Sequence, residues 1–194
     1  MATRVRDAGR GADARREGGD MDFAGSLKKA VEIVKLNGGV AAEVGADEQA
    51  LQPGLAIVAA GGALTGIHGG LGGMIGGAIA ALIGTAIGVG ILHLVATIFF
   101  GGKGDYLALF RAESHAALLG WAGFIPFLGP LIGLWHLPVS VTILQSVYGM
   151  PRDKAIATVA VIAGFFIVLT LVTVVFFGAL IGGFMAGMMG ATRH

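Results

Sequence analysis

Three long stretches without a charged residue constrain this chain more than any other feature of its sequence. They cover residues 49–102, 114–151 and 155–192. A transmembrane α-helix needs about 20 mostly apolar residues to cross a hydrocarbon core of about 30 Å, and each stretch is longer than that. Only 13% of the residues are charged, whereas a soluble domain normally carries about 25%. The sequence therefore predicts an integral membrane protein.

Glycine, proline and charged residues divide these stretches into an all-α, polytopic transmembrane helical bundle of about five spans. Breaks are expected at His68–Gly73, at the turn containing Pro126 and at the polar segment Gly149–Lys154. The predicted transmembrane domain covers residues 53–182, with spans near 53–68, 74–100, 107–125, 130–148 and 155–180. A glycine- and methionine-rich tail, 183–194, follows, and a sixth short span within it is the alternative.

Residues 1–20 are rich in glycine, alanine and charge. So few apolar residues cannot form a core, and we expect this extension to be disordered. The alternative is that it is mis-assigned and that translation begins at Met21.

Residues 21–52 are expected to form a cytoplasmic amphipathic helix and an acidic connector. The helical period over residues 22–36 places several apolar residues on one face, namely Phe23, Leu27, Ala30, Val31 and Val34. Such a helix either lies at the bilayer interface or packs against the loops of the bundle itself.

The basic residues predict the orientation. Segments 1–52, 101–113 and 149–154 hold twelve of the thirteen lysines and arginines, so we place them in the cytoplasm. The expected location is the cell (inner) membrane, with a cytoplasmic N-terminus and the C-terminus outside. Every acidic residue also falls in these three segments. The interior of the spans is therefore expected to lack a carboxylate, which disfavours an ion-coupled transporter.

Short motifs occur between about residues 91 and 155. They are His93, Phe100-Gly101-Gly102-Lys103-Gly104, Tyr106, Phe110, Arg111, Pro126, Gly129, Trp135, Tyr148-Gly149-Met150-Pro151 and Lys154-Ala155. This pattern resembles the Yip1-domain family of five-span membrane proteins in its prokaryotic form, and the hydrophobic spacing matches over roughly 25–182. The resemblance implies a helical bundle with a cytoplasmic N-terminus and no known enzymatic chemistry. Eukaryotic members are linked to vesicle trafficking and small GTPases, but their Asp-Leu-Tyr-Gly-Pro motif is absent here, so that role is not carried over.

The histidines are the candidate polar groups within the predicted spans. His93 and His136 either form an intramembrane polar site or bond to groups on neighbouring helices. No second ligand stands at metal spacing, so we expect no metal, no cofactor and no catalytic residue. Arg111 and His115 share one helical face, where they either receive a lipid phosphate or reach water.

Glycines recur four residues apart within the spans. Small residues at this spacing let membrane helices approach closely. The candidates for helix packing are Gly73, Gly77, Gly84, Gly88, Gly178 and Gly182. Packing within the bundle, self-association and a glycine-lined permeation path are the alternatives.

Two functions remain open. The first is a non-enzymatic scaffold or accessory protein in the lipid bilayer that binds another membrane protein or forms a homo-oligomer. Its weak candidate contacts are Phe23, Leu27, Lys28, Lys29, Lys103, Arg111 and His115. The second is a transporter, channel or lipid-handling protein for a neutral or amphiphilic substrate. A cavity lined by His93 or His136 would favour the second function, and tight apolar packing would oppose it. A net charge of +1 gives no reason to expect nucleic-acid binding.

Overall fold

The structure, a computed structural model, describes residues 22–125 and 127–191. Within those residues the chain is all-helical, without a strand. Numbered in chain order, the α-helices are α1 Phe23–Val34, α2 Gly38–Ala46, α3 Leu51–Thr65, α4 Gly70–Leu94, α5 Tyr106–Ala116, α6 Leu128–Tyr148 and α7 Arg152–Ala191. Four shorter helical segments join or extend them, namely the 3-10 helices Glu48–Ala50, Ile67–Gly69 and Ala117–Phe124 and the π-helix Val95–Phe99.

Side-chain caps fix where several of the shorter helices begin. The Asp22 carboxylate accepts a hydrogen bond from the Gly25 amide at 2.8 Å, at the start of α1. Asp105 does the same for the Ala108 amide at 3.0 Å, at the start of α5. The first amides of a helix have no partner within the helix, so such caps stabilise its beginning.

Among the described residues, three helical segments are long and apolar enough to cross a membrane. They are Ile67–Phe99, Leu128–Tyr148 and Arg152–Gly183. Most of their apolar side chains are exposed in the isolated chain, particularly along α7. A surface of this kind is stable in lipid and not in water. We therefore describe the chain as a membrane protein. These segments cover the predicted spans 74–100, 130–148 and 155–180 apart from a few residues at their ends.

The predicted spans 53–68 and 107–125 are not among these long helices. Helix α3 has 15 residues, which corresponds to about 22 Å, less than the hydrocarbon core of about 30 Å. Helix α5 ends at Ala116, and the 3-10 helix Ala117–Phe124 continues it. The count of five spans therefore stays a prediction.

Helix α1 packs against the bundle. Its closest contacts are with α5 and α2, and Lys29 Nζ lies 2.9 Å from the carboxylate of Glu43 on α2. The predicted apolar face is wrong at one position, since Val31 is 40% exposed while Ile33 is buried. The contacts with α2 and α5, rather than amphipathicity alone, decide which side faces inward. An interfacial location for α1 stays a prediction.

Glycines bring α3 and α4 into direct backbone contact. A Cβ atom added at Gly62 would overlap the carbonyl of Gly77, and one added at Gly66 would overlap the carbonyl of Gly73. Only glycine permits this approach, because every other residue carries a Cβ atom.

The core lies where α2, α5 and the second half of α6 meet the ends of α4 and α7 near loops 100–105 and 149–151. Its fully buried side chains include Val44, Leu109, Val139, Ile143 and Leu144.

Helix α7 continues through the predicted tail as far as Ala191. The predictions for residues 1–20, for Pro126 and for the last three residues lie outside the described part of the chain.

Candidate functional site

A cavity of about 650 Å³ lies among α3, α4, α5, α6 and α7. Its volume falls in the range of pockets that hold small molecules. The wall is largely apolar, with residues such as Val58, Val89, Leu92 and Ile162. Leu137 on α6 and Phe166 on α7 line the cavity and are also exposed. The cavity is therefore open at the side where these two helices face the surroundings.

Glycines form much of the cavity wall. The members are Gly61, Gly62, Gly84, Gly88, Gly120 and Gly133. At Gly84 and Gly88, no described atom lies within 4 Å of where a Cβ would be. These two residues leave space, in contrast to Gly62 and Gly77, which bring backbones into contact.

Polar side chains from two helices meet in this otherwise apolar wall. Glu113 of α5 is only 4% exposed, and its Oε2 lies 3.4 Å from Nε2 of His136 on α6. Ser140, one helical turn after His136, also faces the carboxyl group. The other carboxyl oxygen, Oε1, has no hydrogen-bond partner among the described residues. The site therefore presents a buried acceptor that is free to receive a donor.

The burial of Glu113 does not follow from the sequence-based prediction. That prediction places Glu113 in the cytoplasmic segment 101–113, and the structure shows its side chain facing the interior of the helical bundle. The helical period contains the signal that sequence reasoning missed. Glu113 follows Leu109 by four residues and precedes Ala116 by three, and both of these residues are fully buried. It therefore lies on the apolar face of α5.

The same three side chains do not form a catalytic triad in this structure. Ser140 and His136 are both described, and no hydrogen bond joins them. A serine nucleophile needs a base within hydrogen-bond distance. Across the described part of the chain, no group of three His, Asp or Glu side chains could hold a metal ion.

His115 and Arg111 point into the protein rather than outward. His115 is fully buried, and its Nδ1 donates to the Arg111 carbonyl at 2.8 Å. The Arg111 guanidinium donates to the carbonyl of Gly45 on α2 at 2.9 Å. The expectation that this pair reaches lipid phosphate or water is wrong for His115, because α1, α2 and α3 cover this part of α5. Gly54 of α3 packs directly onto Ser114 and His115.

His93 belongs to a separate aromatic cluster outside the cavity. Its Nδ1 is hydrogen-bonded to the Tyr148 hydroxyl, and the Tyr106 hydroxyl donates to the Ala86 carbonyl at 3.1 Å. The His93 ring centroid lies 5.9 Å from each of the two tyrosine rings, in edge-on geometry. Gly104 packs against the face of Tyr148, where a Cβ would overlap the ring. The structure thus separates His93 from His136.

The predicted partner contacts are dispersed. Phe23 and Leu27 are half-buried, Lys28 and Lys103 are exposed, and Lys29 pairs with Glu43. At Gly178 and Gly182 on α7, a Cβ atom would have no described atom within 4 Å. These residues do not form one site within the chain.

Comparison with protein families, with curated proteins and with solved structures finds no match for this chain. The resemblance to the Yip1-domain family therefore stays a prediction. Inferences about function rest on the geometry of the cavity.

Proposed function

We propose that this protein binds an amphiphilic small molecule within the bilayer, as a transporter or lipid-handling protein. The observation that carries the proposal is the cavity, which combines a long apolar wall with the Glu113–His136 pair. An apolar pocket with a few convergent polar groups is the usual form of a small-molecule site. This favours the second of the two functions that the sequence left open.

The position of the Glu113–His136 pair supports the proposal. Ionisable groups inside a membrane protein are costly to bury and usually mark a pathway for a substrate or a proton. Glu113 is buried, whereas the His136 side chain is 41% exposed. The Glu113 end of the pair is therefore enclosed by protein and the His136 end is accessible, as a ligand site requires.

We further propose five spans, with loops 101–105 and 149–154 in the cytoplasm of a cell with an inner membrane. Helix α3 and the α5 segment would then be the two shorter spans, and the C-terminus would lie outside. The basic residues of the loops support this orientation. No enzymatic activity and no cofactor are part of the proposal.

Native mass spectrometry of the intact protein released from its own membranes tests this function. We expect a bound amphiphile on the wild-type chain, and its loss in Gly84→Leu, because leucine would fill the cavity. Gly178→Leu is the matched control, since Gly178 lies in open space on α7 and does not line the cavity. A wild-type chain that never retains a bound molecule would contradict the proposal.

A second candidate function is a scaffold or accessory protein for another membrane protein or a second copy. The surface of helix α7 favours this function, because its large apolar residues from Phe165 to Ile181 are all exposed. On this helix Gly178 is followed four residues later by Gly182, a spacing that lets membrane helices approach closely. Cross-linking in native membranes would test this. A specific adduct that is lost in the Gly178→Leu, Gly182→Leu double variant supports association through α7, and an adduct that persists opposes it.

A further inference from the structure

We infer that the ligand of the cavity is a lipophilic amine, whose cationic head binds Glu113 while its apolar body occupies the glycine-lined wall. This inference rests on the proposed function and deepens it by naming the chemical class. It begins with the unpartnered Oε1 atom of Glu113. A buried acceptor without a donor is unfavourable, so a ligand that supplies the donor gains affinity at this position.

The ionisable residues around the cavity determine whether an anionic or a cationic head group fits it. Among the described residues that line it, Glu113 is the acidic group, and there is no lysine or arginine. The basic side chain beside the carboxyl group is His136, which already lies 3.4 Å from Oε2. A phosphate or carboxylate head near Oε1 would meet the carboxyl group with no lysine or arginine beside it, so an anionic head, including the phosphate of a phospholipid, is disfavoured there.

An amine and an alcohol differ in how many hydrogen bonds they can donate. A hydroxyl group can donate one hydrogen bond, whereas a primary ammonium donates three. The ammonium can therefore reach Glu113 Oε1 and also the Ser140 hydroxyl, which faces the same carboxyl group. Hydrogen bonds between charged groups are stronger than those between neutral groups. The rest of the cavity, from Val58 to Phe166, offers apolar surface for an alkyl or aryl body.

Photoaffinity labelling of the full-length chain tests this inference. The protein is placed in phosphatidylcholine nanodiscs, whose zwitterionic lipid does not itself concentrate cations. The probe is an alkylamine with a diazirine in its tail. Dodecylamine, dodecanol and dodecanoate compete at equal mole fractions in the bilayer. We expect label on the peptides that contain Leu137 and Phe166. We also expect dodecylamine to compete at about tenfold lower mole fraction than dodecanol, and dodecanoate to compete least.

Substitutions test whether the carboxyl group of Glu113 causes the preference for the amine over the alcohol. In Glu113→Gln, the amine and the alcohol should compete equally. Glu48→Gln, which changes an exposed acidic residue, should behave as the wild type. A preference that persists in Glu113→Gln would show that another group recognises the amine. If Glu113→Gln does not fold, the wild-type competition series still decides the class of ligand.

The outcomes distinguish this inference from the proposed function. Equal competition by amine and alcohol on the wild type would overturn the inference and leave amphiphile binding intact. Stronger competition by dodecanoate would overturn it as well. Failure to label either cavity peptide with the alkylamine probe, and also with a diazirine alcohol and a diazirine carboxylate of the same chain length, would count against the proposed function itself.

Discussion

Glu113 of α5 and His136 of α6 meet in the wall of the cavity, with 3.4 Å between Oε2 and Nε2. They are the ionisable side chains that line this space in the described part of the chain. Their separation along the sequence is large, so the contact depends on how α5 and α6 pack.

Glu113→Leu should abolish binding of an alkylamine without loss of stability. Replacing a whole buried ion pair with apolar residues is often neutral or stabilising, whereas removing one partner is costly where it leaves the other as an uncompensated buried charge. His136 is partly exposed, so it does not become a buried unpaired charge. We therefore expect the thermal unfolding midpoint in detergent to stay constant or to rise by a few degrees. A marked fall, absent in Glu48→Leu, would show that Glu113 serves the fold rather than a ligand.

Gly77→Ala should destabilise the protein, and its neighbour Gly76→Ala should not. A Cβ at Gly77 would overlap the carbonyl of Gly62, whereas no described atom lies within 4 Å of one at Gly76. Overpacking typically costs about 1–3 kcal/mol, while alanine in an open helical position gains up to about 1 kcal/mol over glycine. Thermal unfolding of the two variants measures the difference. Equal midpoints would contradict the close approach of α3 and α4.

Tyr148→Phe should lower stability by about 1 kcal/mol, because the phenol hydroxyl is bonded to His93 and also lies 3.3 Å from the Asp105 carbonyl. A double-mutant cycle with His93→Leu measures the contact directly. The two single effects should sum to more than the effect of the double variant. Strictly additive effects would mean that the Tyr148 hydroxyl does not interact with His93.

Glu32 gives a pH dependence of defined sign. Hydrogen bonds from Lys35 and Asn37 lower the pKa of its carboxyl below the ordinary value of 4.5. A carboxyl with a lowered pKa stabilises the fold above its unfolded pKa, and this contribution is lost as the pH falls through its folded pKa. The wild type should therefore exceed Glu32→Gln in stability at neutral pH, and the difference should vanish in acid. The side chain is partly exposed, so the effect should be small and should weaken with salt. An NMR titration of Glu32 checks the direction.

The sequence alone determined the class of the protein and the helix boundary at residues 149–151. The predicted break at His68–Gly73 is shorter in the structure, because α4 begins at Gly70. The stretches free of charge predicted membrane-crossing helices, because a hydrocarbon core excludes ionised side chains over about 20 residues. Gly149 also marked the end of a helix in the sequence. It directly follows the last residue of α6 and has a left-handed backbone, with φ of +60°. These features are local, and local features can be read from the order of residues.

Only the tertiary structure decided which faces meet. Gly77 and Gly84 stand at similar spacing in one helix, yet the first contacts backbone and the second lines a cavity. Within lipid, apolar residues face both the bilayer and the neighbouring helices, so composition does not distinguish the two sides. The surroundings of Glu113 could not be predicted from composition either, because its neighbours His136 and Ser140 lie on a different helix, α6. The sequence determined that the chain enters a membrane, and the packing of α5 against α6 decided where the Glu113 carboxyl group lies in the cavity wall.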